Sequence, residues 1–213
     1  NFAKRETPFF LAVGFFRPHT PFVAPKKYFD IYDREKIEIP EVSSEYLETL
    51  PLPAVKSIRA KKNQIDLDKE LAQEIKEAYY ATISFVDSQV GRILDQLEAL
   101  NIENNTAIVY VSDNGFFRGE HKLGDKRAPY EESIRIPFVI KFPQEQEIPR
   151  VIDEFVLNLD LAPTILDIAG ISVPETMQGL SLLPLIKNEP VASWRKYFFY
   201  QYNHDPEFPS AKA

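Results

Sequence analysis

Ala107-Ile108-Val109-Tyr110-Val111-Ser112-Asp113-Asn114-Gly115 passes from five consecutive apolar residues through Ser112 into three turn-forming ones. A short apolar run bounded in this way predicts a buried β-strand, ending where the chain must turn. Immediately upstream, Leu71, Ile75, Ala78, Thr82, Val86, Val90, Ile93 and Leu97 recur at steps of three and four, one face of a helix over 68–100. Asp66 or Asp68 can cap its start and Asn101 its end. Further back, Pro8 to Gly14 (PFFLAVG) is a second apolar run, which predicts a strand buried on both faces. Strand, long helix and strand make a βαβ unit, so the expected class is α/β with a mainly parallel sheet flanked by helices. Ligands of such sheets gather beyond the C-terminal strand ends. Two polar clusters fall there, Arg17 to His19 after the first strand and Asp113 to Lys126 after the second, and they are expected to share one cleft.

Further elements follow. Pro137 to Phe142 predicts a strand, Asp160 to Ala169 a helix capped by Asp160 and stopped by Gly170, Leu180 to Lys187 a short helix, and Tyr197 to Tyr202 a late strand. Residues 31–65, with Pro40, Pro51 and Pro53, read as a long surface excursion of the kind that more often serves a function than not.

The 213 residues carry 25 basic and 32 acidic side chains, net −7, which argues against a nucleic-acid-binding surface. An anionic substrate stays open, because a metal and a few cations can reverse the potential within one cleft. Cysteine is absent, which excludes disulfides and thiolate metal sites. No apolar run approaches the roughly 20 residues of a membrane helix. The opening residues do not read as a signal peptide, and Asn104-Asn105-Thr106 fits a glycosylation triplet that chance also produces.

Asp113 offers a carboxylate oxygen and Asn114 an amide oxygen, hard donors suited to Ca²⁺ or Mg²⁺. Two donors make half a site at most, and Asp-Asn-Gly is equally a strand-terminating turn in which Gly115 eases the bend. Downstream lie Gly119-Glu120-His121 and Gly124-Asp125-Lys126-Arg127.

Over 107–143 the chain (AIVYVSDNGFFRGEHKLGDKRAPYEESIRIPFVIKFP) resembles the type I sulfatases of the alkaline-phosphatase-like superfamily. Pro8–Phe22, Ser84–Leu94 and Asn158–Ile186 match in order, as does the Trp194-Arg195 region, with iduronate-2-sulfatase-like and other glycosaminoglycan sulfatases the nearest relatives. The resemblance implies a partial alkaline-phosphatase-like sandwich that hydrolyses sulfate esters of carbohydrates. It makes Asp113 and Asn114 metal ligands, with Ca²⁺ the usual ion and Mg²⁺ an alternative. It makes Lys126 a sulfate contact and His19 a sulfate contact that protonates the leaving oxygen. His121 and Arg127 become weaker candidates for substrate binding, and His204 for the cleft mouth. His121 and Glu120 can equally order the loop that carries Lys126. Members of the family are periplasmic, secreted or lysosomal.

The resemblance also marks departures. Type I sulfatases use a formylglycine made from Cys or Ser in a C/S-x-P-x-R motif, and no such motif occurs in this chain. The paired-aspartate segment that supplies the other ligands is missing as well. Residues 1–213 are therefore expected to form part of a catalytic domain, without its nucleophile segment and without the smaller C-terminal subdomain, completed by the rest of the same polypeptide. Arg118 and Lys122 stand where members often carry an apolar residue and Gly, extra cations that point to a more anionic substrate. Two other functions remain as alternatives: a phosphodiesterase or phosphonate hydrolase of the same superfamily, and a non-catalytic carbohydrate-binding fragment.

Overall fold

The computed structural model describes residues 7–52, 55–56, 67–122, 124–126, 128–143, 151–203 and 211–212. Two short helices, α1 (Lys26–Phe29) and α2 (Ser44–Thr49), precede α3 (Lys69–Ala99), the longest element. The Asp68 carboxylate accepts the Leu71 N–H at 2.9 Å, which satisfies one of the donors that a helix start leaves orphaned. At the other end Asn101 takes a left-handed φ of 56°, and the Ile102 N–H returns to the Leu97 carbonyl at 3.1 Å. Both boundaries lie where the capping residues predict them.

The buried face of α3 is rotated from the predicted apolar stripe. Thr82 and Val86 are buried as expected, but Leu71 is 42% exposed, and Gln73, Glu77 and Ala81 are buried instead. The residues after α1 explain the difference by supplying polar partners. The Gln73 amide donates to the Ile37 carbonyl at 2.9 Å, and Arg34 pairs with Glu77 at 2.6 Å. Tyr28 and Tyr32 bond to Ser88 and Ser84, each at 2.6 Å. Left unpaired, each buried polar group would cost about 1–3 kcal/mol. Residues 28–37, from the end of α1 into the excursion, thus lie along α3 through a polar seam that apolar periodicity cannot report.

Downstream come β1 (Ile108–Val111), β2 (Phe117–Arg118), β3 (Gly124–Asp125), α4 (Glu131–Ile134) and β4 (Phe138–Lys141). Strand β1 pairs antiparallel with β4, Ile108 opposite Lys141 and Val111 opposite Phe138. The predicted parallel partner behaves differently. Pro8 to Gly14 forms no regular element and joins no ladder among the described residues, and Phe10 and Leu11 are 72% and 57% exposed. An apolar run becomes a sheet strand only where a neighbour accepts its backbone hydrogen bonds, and the described neighbour of β1 is β4.

Helices α5 (Leu161–Ile168) and α6 (Leu183–Ile186) follow, with a short pair β5 (Gln201–Tyr202) and β6 (Ala211–Lys212). Gly170 ends α5 region with φ 69°, as predicted. Asp160 does not cap α5 with its side chain and is instead fully buried. Among the described residues no helix is long and apolar enough to cross a membrane.

Candidate active site

The end of β1 is held by its neighbours on both sides. The Gly115 N–H donates to the Ser133 carbonyl at 2.8 Å. Its φ is not left-handed, so easing a bend is not what requires glycine here. A β-carbon at 115 would sit 2.2 Å from the Glu132 carbonyl oxygen, closer than any side chain tolerates. After this contact β2 and β3 form a hairpin in which Phe117 lies opposite Asp125 and Arg118 opposite Gly124. Gly119 takes φ 101° within its loop. Phe117, 1% exposed, packs with Ala128 and Tyr130 beneath the hairpin. The hairpin returns the chain to Phe117, so that Lys126 follows directly after the residue paired with it.

Lys126, Asp113 and Asn114 consequently line one open cleft of about 440 Å³, together with Ser133, Asn158 and the aromatic Phe198, Tyr200 and Tyr202. Ser133 is 3% exposed and connects the two polar loops: its hydroxyl donates to the Lys126 carbonyl at 2.5 Å while its carbonyl holds Gly115. The Asn114 amide nitrogen donates to the Gly115 carbonyl at 2.6 Å, which turns its amide oxygen away from that contact. Asp113 is exposed, and one of its carboxylate oxygens accepts the Asn114 N–H at 3.0 Å. These are oxygen donors of the kind a hard divalent cation takes. Two are too few for six- to eight-fold coordination, and the described residues hold no cluster of three His, Asp or Glu.

His19 is exposed and does not line the cleft, which corrects the expectation that the two polar clusters share it: the Arg17–His19 loop is closed on its own carbonyls instead. Its Nδ1 lies 2.7 Å from the Thr20 carbonyl, an acceptor only, so Nδ1 carries a proton and Nε2 is the nitrogen left for proton exchange. The surrounding loop is closed by Arg17, which donates to the carbonyls of Val23 (3.2 Å) and His19 (3.4 Å). Phe22 then packs edge-on against Phe116 and Tyr79, two residues beyond Asn114 and on α3 respectively.

His121 is likewise not among the cleft residues. Its ring stacks on Tyr130 at 4.4 Å, hydrogen-bonds to the Tyr46 hydroxyl, and meets Glu132 at 3.2 Å. With both nitrogens engaged it orders the loop that leads to Lys126. The Arg118 guanidinium lies 3.6 Å from the ring centres of both Tyr79 and Phe116. Its place is inside an aromatic cluster. Arg127 and His204 lie outside the described residues.

One functional element had no signal in the local sequence. The Asp160 carboxylate, buried, accepts the N–H groups of Leu157 and Leu180, each at 2.8 Å, and both arms of Arg195, one at 2.7 Å. Burial pushes this carboxyl up, but Arg195 and the Leu180 and Leu157 amides outweigh it and hold the group below its ordinary value. Gly179 belongs to the same knot, since a β-carbon there would meet the Leu159 carbonyl at 1.9 Å. The knot fixes Asn158, whose amide donates to the carbonyls of Ser112 (3.3 Å) and Asp113 (3.1 Å). Asp160 therefore braces the strand end from a distance of nearly fifty residues in sequence.

Comparison with known proteins finds relatives of this chain. Residues 119–213 match the family described as N-sulphoglucosamine sulphohydrolase, C-terminal. The chain is 37% identical over 203 residues to an arylsulfatase of Clostridium perfringens, covering 92% of this chain and 42% of the relative. It is 43% identical over 142 residues to an N-acetylglucosamine-6-O-sulfatase of Bacteroides thetaiotaomicron, covering 66% and 25%. Among solved structures it superposes on a phosphonate monoester hydrolase of Silicibacter pomeroyi with a TM-score of 0.82 and 26% identity, over 91% of this chain and 40% of that one. It also superposes, with a TM-score of 0.62 and 35% identity over 75% and 35%, on a protein solved in complex with its substrate D-glucosamine-2-N,6-O-disulfate. The chain thus spans about two fifths or less of the length of these relatives. The fold is the predicted α/β, alkaline-phosphatase-like one, represented in part. By sequence and fold together, the chain is similar, over part of their length, to the sulfatases of the alkaline-phosphatase-like superfamily.

Proposed function

We propose that this chain is part of a metal-dependent hydrolase of carbohydrate sulfate esters, with Asp113, Asn114, Lys126 and His19 as its contribution to the site. The observation that carries this reading is the convergence of Asp113, Asn114 and Lys126 on one cleft. A sulfate ester resists attack because its peripheral oxygens repel nucleophiles, so fixed cations must take up that charge. Lys126 binds one such oxygen as a point charge, on a loop that Ser133 ties to the metal-binding turn. The Asp113 carboxylate and Asn114 amide oxygen would hold Ca²⁺, or Mg²⁺, with the remaining donors supplied by residues outside this chain. Such a cation, when bound, withdraws charge from the sulfate, and a formylglycine from outside the chain provides the nucleophile. His19, protonated at Nε2, gives its proton to the departing sugar oxygen, an effect of roughly 10²–10⁴-fold for a poor leaving group.

A carbohydrate substrate suits the remaining lining. Phe198, Tyr200 and Tyr202 give the cleft the mostly apolar and aromatic walls, with a few convergent polar groups, that small-ligand sites favour. The relatives whose names specify glucosamine sulfates support the same class. By family, the compartment is periplasmic, secreted or lysosomal.

A second reading rests on the extensive superposition with phosphonate monoester hydrolases, at about 26% identity against 37% for the arylsulfatase. Sulfate, phosphate and phosphonate esters of one alcohol, offered to the whole polypeptide, separate the two. The proposal requires kcat/KM to be highest for the sulfate ester and to fall about 10²–10³-fold in Lys126→Ala. Preference for the phosphonate, or indifference to Lys126→Ala, overturns it.

A further inference from the structure

We propose that Arg118 is a positioning residue that sets where His19 stands. The proposal rests on the reading of His19 as the acid that protonates the leaving oxygen.

Three contacts converge on one guanidinium. Its centre lies 3.6 Å from the ring centres of Tyr79 and of Phe116, which are themselves 6.3 Å apart, so the cation sits between the two rings. Phe22 is the third face, its ring centre 4.8 Å away. The Phe22 ring also meets Tyr79 edge-on at 5.6 Å and Phe116 at 6.5 Å. Tyr79 belongs to α3, Phe116 follows the Asp113-Asn114 turn, and Phe22 belongs to the His19 loop, so the cation ties three separate segments together. A guanidinium suits this position because it is planar, weakly hydrated, and attracted to ring faces. Burial from solvent strengthens that attraction.

Hydrogen bonds tie His19 and Phe22 into one closed loop. Arg17 closes residues 17–23 by donating to the His19 and Val23 carbonyls, and the His19 N–H returns to the Phe16 carbonyl at 3.1 Å. A shift of Phe22 therefore carries His19 with it. Arg118 itself is held in register by β2, where it pairs with Gly124, and its Nη1 donates to the Phe117 carbonyl at 2.8 Å. Arg118 thereby links the hairpin that presents Lys126 to the loop that presents His19, and it does so without touching substrate. Its effect should appear only where His19 matters, which is the departure of a poor leaving group.

The test compares wild type, Arg118→Met, Arg118→Lys, Phe22→Leu, His19→Ala and the double variant His19→Ala/Arg118→Met, in the whole polypeptide. Two substrates are used: p-nitrophenyl sulfate, whose leaving group needs no acid, and glucosamine 6-sulfate, whose alkoxide does. Arg118→Met is expected to lower kcat/KM about 10–100-fold on the sugar sulfate and less than about threefold on the aryl sulfate. Arg118→Lys should recover part of the loss, Phe22→Leu should reproduce its substrate dependence, and the double variant should be no worse than His19→Ala. Equal losses on both substrates, or losses that multiply in the double variant, overturn the role of Arg118 while leaving that of His19 intact. If His19→Ala spares the sugar sulfate, the acid role of His19 falls and that of Arg118 with it. Should Arg118→Met fail to fold, Arg118→Lys and Phe22→Leu still decide, because either must show the same dependence on leaving group.

Discussion

Replacing Asp160 by Asn removes a charge and almost nothing else, and the geometry says what that costs. Oδ1 accepts from the Leu180 N–H and from Arg195 Nη2; Oδ2 accepts from the Leu157 N–H and from Arg195 Nη1. An amide keeps one oxygen and turns an NH₂ toward the other two donors. One backbone hydrogen bond is lost, about 1 kcal/mol, and one charge-assisted bond, about 1.5–3 kcal/mol. Arg195, only 14% exposed, also loses its counter-charge. Breaking a buried pair from one side typically costs about 3–5 kcal/mol, and the sum here, about 2.5–4 kcal/mol, overlaps that range. Urea unfolding of the whole polypeptide measures it. The sign of the pH dependence follows from the lowered carboxyl. The stabilisation is complete above the unfolded carboxylate pKa of about 3.9 and disappears as pH falls through the lower folded value, so wild type and Asp160→Asn should converge in acid. Arg195→Met removes the foremost group that lowers the carboxyl, so the part of the stability that disappears in acid should be smaller in that variant than in wild type. A loss below about 1 kcal/mol for Asp160→Asn at pH 7, or a constant gap down to pH 2, would refute the reasoning.

Ser133→Ala should leave the Lys126 carbonyl without its buried donor, costing about 1–3 kcal/mol in urea unfolding and about tenfold in kcat/KM on an aryl sulfate. Gly115→Ala forces a methyl group against the Glu132 carbonyl, and a melting curve should show a loss of at least the 1–3 kcal/mol typical of overpacking. Exhaustive chelation should abolish sulfate release, added Ca²⁺ should restore it, and Asp113→Ala should shift the Ca²⁺ midpoint upward by tenfold or more; activity that survives chelation removes the metal from the proposal.

Local chemistry was the legible part of this chain. Asp68 and Asn101 mark the ends of α3 because a cap is a contact between near neighbours, and the apolar runs of β1 and β4 stand out for the same reason. Lys126 could be assigned to the Asp113 turn, since only a short hairpin separates them. Contacts made across long sequence separations were not legible. Asp160 reads as a helix cap until Arg195 arrives 35 residues later to bury it. Gln73 and Glu77 read as a solvent face until Ile37 and Arg34 cover them. Arg118 reads as a free cation because nothing in its neighbourhood announces Tyr79 and Phe22. Pro8 to Gly14 has the composition of a strand, but composition does not name the neighbour that would pair with it.

Tyr46 has a wider consequence for how relatives of this chain can diverge. It stands in the long excursion, far from the cleft residues in sequence, yet its hydroxyl grips His121, four residues short of the end of β3 and five before Lys126. The excursion is therefore mechanically geared to the lysine. Insertions or substitutions around residue 46 can retune the reach of that ammonium while every residue lining the cleft stays the same, so selection has a lever on the anion site that comparisons of active-site residues alone would overlook.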